Sequence, residues 1–312
     1  MLEAGKRASC PGLQQKGCKE MKLDQEKKKM LPPWLACPEI ERYSIGWRMG
    51  YGEDYICRFF QWWRALSEKE QKEYRGLFPE PVTWKGWWDD SDAGEVLVQG
   101  DFCIPLWRPE GEPKYSRPLL QQAASEGRQQ DFVLFWGHRP SKDWSITQSC
   151  LSQWWMADFR CFAVVYCCME QFMMAQKAEL FGDGEIQKQI MESREPDHIK
   201  ALGRKVQNFD QAVWDRVKYS IVLNGNWCKF SQNRPLRDFL LSTGDRVLAE
   251  ASPYDAIWGI QLSADSPDAK EPGKWRGRNL LGFALMEVRD ELRRVTKHES
   301  LCRCEEFEQR RS

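Results

Sequence analysis

The chain has 312 residues, enough for one large domain or two ordinary ones. Acidic and basic side chains balance at 46 each, which argues against a protein that coats nucleic acid by bulk charge and leaves only a local basic patch for such a role. No apolar run is long enough to span a bilayer, the first residues show no signal-peptide core, and the 12 cysteines follow no metal-ligand spacing, so reduced thiols, no metal, no membrane contact and a cytoplasmic location are expected.

Residues 1–33 read as a charged tail without periodicity, closed by Pro32-Pro33. Residues 34–125 are rich in Trp, Gly and Pro and are expected to pack on or beside the rest of the chain. Within them EDYICRFFQWWRAL reads as a buried helix, and Ser67 with Glu70 marks a capping box for the next one. PEPVTWKGWWDD reads as loop and RPEGEPKYSRP, 108–118, as a turn-rich linker.

Residues 130–295 carry the clearest pattern. DFVLFWG, FRCFAVVY and RVLAEAS suit strands, and a helix is expected at 168–181. Short helical stretches follow up to Val206. Asp210 can cap a longer helix with Val213, Val217 and Ile221 on one face, although Asn224-Gly225 weakens its middle. PLRDFLLSTG is a compact helix with Pro235 near its start and Gly244 past its end. The last helix starts at Asn279 with a stripe of Leu281, Leu285, Val288, Leu292 and Val295, and a charged tail, 297–312, is expected to fray.

The helix CMEQFMMAQKAELF, 168–181, sets a chemical question, because Glu170 and Lys177 interrupt an otherwise apolar surface. Seven helical residues bring two side chains to within about 20° on one face and set their Cα atoms about 10 Å apart, too far for an ordinary helical ion pair. Two long side chains at that spacing can lean toward one guest between them. The alternative is a solvated helix edge, with Glu170 at the helix dipole and Lys177 on the surface.

CCMEQFMMAQKA resembles the core motif of the NADAR (NAD and ADP-ribose associated) family, which includes the YbiA-like proteins; Glu170 and Lys177 fall on its glutamate and lysine. LLSTGDRVLAEASPYDAIWGI, WRGRNLLGFALMEVRDEL and LSQWWMADF resemble further blocks of that family in the same order. The resemblance implies an α+β fold, predominantly helical, with a small β-sheet beside the pocket and the Trp-rich region as an N-terminal extension. It implies an N-glycosidase that cleaves a ribosyl–nitrogen bond without a cofactor. Its substrate would be ADP-ribosylated guanine, as nucleotide or in DNA, or a ribosylaminopyrimidine phosphate of riboflavin synthesis. The ligand it implies is ADP-ribose or a ribosyl phosphate. Cys168, Gln153 and Gln171 depart from the family pattern, which keeps open a non-catalytic sensor of NAD or ADP-ribose.

Under that resemblance Glu170 is the carboxylate that stabilises positive charge at the anomeric carbon or activates water. Lys177 acts either as a cation toward base or phosphate, or as a neutral amine that attacks the sugar. WRGRN supplies Trp275, Arg276, Gly277 and Asn279 as binding candidates, with free N–H groups at the helix start expected to hold an anion. Arg204, Lys229 and Gln153 are further binding candidates, and Trp258 and Asp255 are expected to frame base and ribose, with Glu250 weighed beside Asp255 as a second carboxylate.

Overall fold

A computed structural model describes residues 29–89, 96–99, 102–107 and 113–302. Most of the tail expected at 1–33, and the last part of the one expected at 297–312, lie outside the described residues. The described chain opens with α1 (Pro33–Ala36), α2 (Gly50–Arg64) and α3 (Glu68–Leu77). Ser67 starts α3 through a full capping box: its Oγ accepts the Glu70 N–H at 3.3 Å, and Glu70 Oε2 accepts the Ser67 N–H at 2.7 Å. Trp34, Phe59, Tyr74, Phe78 and Trp84 bury themselves against one another and form a core separate from the main one. This unit rests on the rest of the chain by hydrogen bonds: Glu291 Oε1 accepts the Val82 N–H at 2.8 Å, and Arg294 Nη2 donates to the Glu80 carbonyl at 2.7 Å.

A hairpin that the sequence reading did not pick out follows, β1 (Val96–Gln99) against β2 (Phe102–Pro105). Phe102 and Ile104 face the main core while Cys103 faces out, the period-two pattern of a half-buried strand. α4 (Arg117–Ser125) starts inside the stretch read as a linker; Ser116 caps it and Pro118 occupies its first turn. β3 (Phe132–Phe135) falls within DFVLFWG as expected. FRCFAVVY is not one strand but a tight hairpin, β4 (Phe159–Cys161) and β5 (Val164–Tyr166). Phe162 and Ala163 both take positive φ, 51° and 61°, which is the backbone of a two-residue hairpin turn. Neither is a residue such a turn favours, so the sequence conceals it.

α5 (Met169–Leu180) is buried on almost every side, with α6 (Gly184–Glu192), α7 (Pro196–Gly203) and α8 (Gln211–Gln232) around it. Asp210 caps α8 as read, its Oδ1 accepting the N–H groups of Ala212 and Val213 at 2.8 and 3.0 Å. Gly225 does not break α8. A Cβ there would stand 2.5 Å from the Phe172 ring and 2.7 Å from the Met169 methyl, so the glycine is what lets α5 and α8 approach.

α9 (Arg234–Ser242) leads to β6 (Val247–Glu250), which pairs in parallel with β3, Phe132 opposite Val247 through Phe135 opposite Glu250. α10 (Leu280–Thr296) buries the expected stripe, Leu281, Leu285, Val288, Leu292 and Val295. Past it the chain stays docked: Arg237 pairs with Glu299 at 3.1 Å, and Cys302 is buried against Met30. The fold thus mixes helices with three two-stranded β pairs among the described residues, beside a Trp-rich N-terminal cluster. No helix among the described residues is long and apolar enough to cross a membrane.

Candidate active site

Glu170 sits in the first turn of α5, after an N-cap, Cys168, whose side chain makes no capping bond. The segment before the helix fixes it instead. The Glu170 N–H donates to the Gln153 carbonyl at 2.9 Å, and Trp154 Nε1 donates to Glu170 Oε2 at 3.2 Å. The residue is 3% exposed. Burial pushes its carboxyl up to about 7; Lys200, the Trp154 bond and Arg204 pull it back, while Asp255 adds to the rise.

A second carboxyl faces the same surroundings. Glu250, at the end of β6, is pushed up to about 8, first by burial and then by Asp255, with Lys200 opposing and Glu170 adding. Its Oε2 is sealed from solvent and meets no hydrogen-bond partner among the described residues, as is Gln153 Oε1. Buried polar atoms of this kind cost free energy. Asp255 Oδ1 accepts the N–H groups of Ile257 and Trp258 at 2.9 and 2.7 Å, so it shapes the turn that presents Trp258 while placing charge near both glutamates. Lys200, on α7, lies 5.5 Å from the Trp154 ring centroid and is the strongest cationic influence on Glu170.

Lys177 lies at the other end of α5, on a cavity of about 340 Å³. Arg204, Phe209, Trp214, Lys218 and Trp258 share its wall. Lys177 Nζ donates to the Gly203 carbonyl at 2.8 Å and stands 4.2 Å above the Phe209 ring. Burial lowers its pKa. The cations that act on Glu170 are Lys200 and Arg204. Arg204 belongs to both halves of the site, because it lines the cavity and its charge reaches Glu170.

Other candidates sit behind this surface. Lys229 is wholly buried; its Nζ donates to the carbonyls of Cys150 and Ser152 at 2.7 and 3.1 Å, tying down the segment that carries Gln153 and Trp154. Trp275 is a core ring whose Nε1 donates to Ala269 at 2.9 Å. Gln171 is held by backbone, accepting from Cys167 at 2.8 Å and donating to Ser193 at 2.8 Å.

The expected anion cradle at the start of α10 is occupied by protein. The N–H groups of Arg276 and Gly277 donate to Ile260, that of Arg278 to Ala256, that of Asn279 to Gly259, and those of Leu280 and Leu281 to Ile257 and Trp258, all between 2.9 and 3.2 Å. A Cβ at Gly277 would lie 2.2 Å from the Gly259 carbonyl, so only glycine closes this joint. Asn279 makes no side-chain cap; its Oδ1 accepts the Glu250 N–H at 3.0 Å and its Nδ2 donates to Leu248 at 2.9 Å. This joint holds the Asp255–Trp258 turn and the Glu250 strand in register.

Trp154 and Lys200 join the site beyond the residues that the motifs mark. The available signal was local for Trp154, an indole next to the candidate Gln153. For Lys200 there was none, since it reaches the site only through the packing of α7 on α5.

A NADAR domain is matched across residues 134–293. An N-glycosidase of Acanthamoeba polyphaga mimivirus is 46% identical over 145 residues, which cover 45% of this chain and 85% of that protein. A riboflavin biosynthesis protein of Vibrio vulnificus is 33% identical over 123 residues, 39% of this chain and 30% of that protein. The NMR structure of the E. coli protein YbiA aligns with a TM-score of 0.43 and 26% identity, covering 53% of this chain and 86% of that one.

Proposed function

The chain belongs to the NADAR domain family, and on that premise we propose that it is an N-glycosidase that hydrolyses a ribosyl–nitrogen bond. Similarity to the mimivirus N-glycosidase and to the Vibrio riboflavin biosynthesis protein supports a reaction of this class. The observation that carries the reading is Glu170, a buried carboxyl pushed up to about 7 and reached by the charge of Arg204, which itself lines the cavity of cations and rings. A group that titrates at about 7 gains and loses its proton at physiological pH, which is what general acid–base work requires.

In the proposed reaction the bond between the anomeric carbon and the base nitrogen breaks as positive charge grows on the sugar. Ionised Glu170 stabilises that charge or draws the proton from the attacking water. The hydroxide equivalent joins the anomeric carbon and a proton passes to the departing nitrogen. Arg204 and Lys177 suit a phosphate, and Trp258 suits a ring face, while Lys218 on the same wall is already paired with Asp215. Glu250 Oε2 and Gln153 Oε1, without hydrogen-bond partners among the described residues, are proposed to meet ribose hydroxyls. The substrates proposed are ADP-ribosylated guanine, releasing ADP-ribose, and ribosylaminopyrimidine phosphates.

Mass spectrometry on a guanine-ADP-ribosylated oligonucleotide, NAD and a ribosylaminopyrimidine phosphate, side by side, tests this. Wild type is expected to release sugar from one of them and Glu170→Gln from none. Binding of ADP-ribose without release by wild type would replace the enzyme with the sensor reading. Borohydride added during turnover separates the two roles of Lys177, since only amine attack leaves a reduced adduct on that residue.

A further inference from the structure

Among the described residues, the aromatic core built by α1 to α3 and the segment 82–89 is open on one side. A cavity of about 590 Å³ lies there, well within the size of small-molecule sites. Two ring pairs wall it. Trp63 and Trp88 have centroids 5.0 Å apart and planes 26° from parallel, and Phe60 and Trp87 stand at 5.8 Å and 31°. Two guanidiniums face the same space. Arg75, exposed on α3, lies 5.5 Å from the Trp63 ring and 6.0 Å from Trp88. Arg42 is pinned by backbone, donating to the carbonyls of Lys85 and Gly86, and still lines the cavity. One acid, Asp89, shares the wall.

We propose that this cavity binds a nucleotide, with the base stacked on the indole wall and the phosphate on Arg75 and Arg42. The chemistry selects that occupant. Flat π faces without charge would accept any apolar ring, but two guanidiniums against one carboxylate call for an anion on the same ligand. A quaternary ammonium, the other usual guest of an aromatic cage, is repelled by both arginines. An apolar peptide side chain would cover the guanidiniums without pairing them, at a cost in desolvation. Stacking on indoles tolerates any base, so discrimination among bases is weak. The site is separate from the α5 cavity and does not rest on the N-glycosidase reading.

Calorimetric titration of the full chain with GMP, and separately with a single-stranded hexanucleotide, tests the proposal. Saturable binding is expected. Arg75→Glu is expected to weaken it at least tenfold, and Arg204→Ala, in the other cavity, to leave that binding event within twofold. Tyr43→Ala, on the exposed lip, gives a second variant that keeps the core intact. Much tighter binding of the hexanucleotide than of GMP would identify a strand as the source, and similar affinities a free nucleotide. No saturable binding of either probe, or binding unchanged by Arg75→Glu but lost in Arg204→Ala, would overturn the proposal. Product release by the α5 site is read separately, so either idea can fail alone.

Discussion

Replacing Glu170 by Gln tests the burial of the site's central carboxyl without reference to any substrate. Gln keeps an acceptor for Trp154 Nε1 and removes only the ionisation. In wild type the carboxyl rises from an ordinary 4.5 to about 7. Below pH 4.5 the folded and unfolded chains both hold this proton. Between 4.5 and about 7 the unfolded chain releases it while the folded one keeps it, so wild-type stability falls as pH rises. At about 1.4 kcal/mol per pH unit, that window amounts to about 3 kcal/mol. Glu170→Gln escapes the loss. Its stability relative to wild type is therefore expected to improve by about 3 kcal/mol between pH 4.5 and pH 8. Urea unfolding of both proteins across that range measures it. A difference that stays constant with pH would refute the reasoning, because it would mean the carboxyl meets water in the folded state. The same variant is expected to lose turnover by at least about a hundredfold, as removal of a general acid–base does.

Asp255→Asn keeps the Oδ1 acceptor of the Trp258 turn but removes a charge that raises both Glu170 and Glu250. Both carboxyls are expected to titrate lower, Glu250 more than Glu170, and the pH profile of turnover is expected to move toward acid. Lys229→Met takes the Lys229 donor from the Cys150 carbonyl and leaves the Ser152 carbonyl with the Trp155 N–H alone, and is expected to destabilise by about 2 kcal/mol at neutral pH. Lys229 titrates at about 8 when folded and at 10.5 when not, so wild-type stability rises with pH over that range. Parallel unfolding curves should show the rise missing in Lys229→Met. Gly225→Ala separates propensity from packing. Helix propensity alone would stabilise by about 1 kcal/mol, whereas a methyl 2.5 Å from the Phe172 ring should destabilise by about 1–3 kcal/mol. Thermal unfolding gives the sign.

What was legible in the sequence was local or repeated. The Ser67–Glu70 box, the Asp210 cap, the stripe of α10 and the ordered motif blocks each depend on residues a few positions apart, and each stands in the fold as read. Elsewhere a long-range contact outweighs the local rule. Phe162 and Ala163 turn a hairpin that neither residue favours, because β4 and β5 pair around them. Gly225 looked like a weak point and is a contact point. The start of α10 looked like an anion cradle, and its donors are taken by a loop some twenty residues earlier.

Residue order alone shows which helix carries a carboxyl and an amine on an apolar surface. The chemical character of those groups comes from the packed fold. Exclusion of water by α5's neighbours raises Glu170, and α7 and the 255–258 turn deliver Lys200 and Asp255 to it. Solvation and long-range charge belong to the assembled chain, and no stretch of residues contains them in advance.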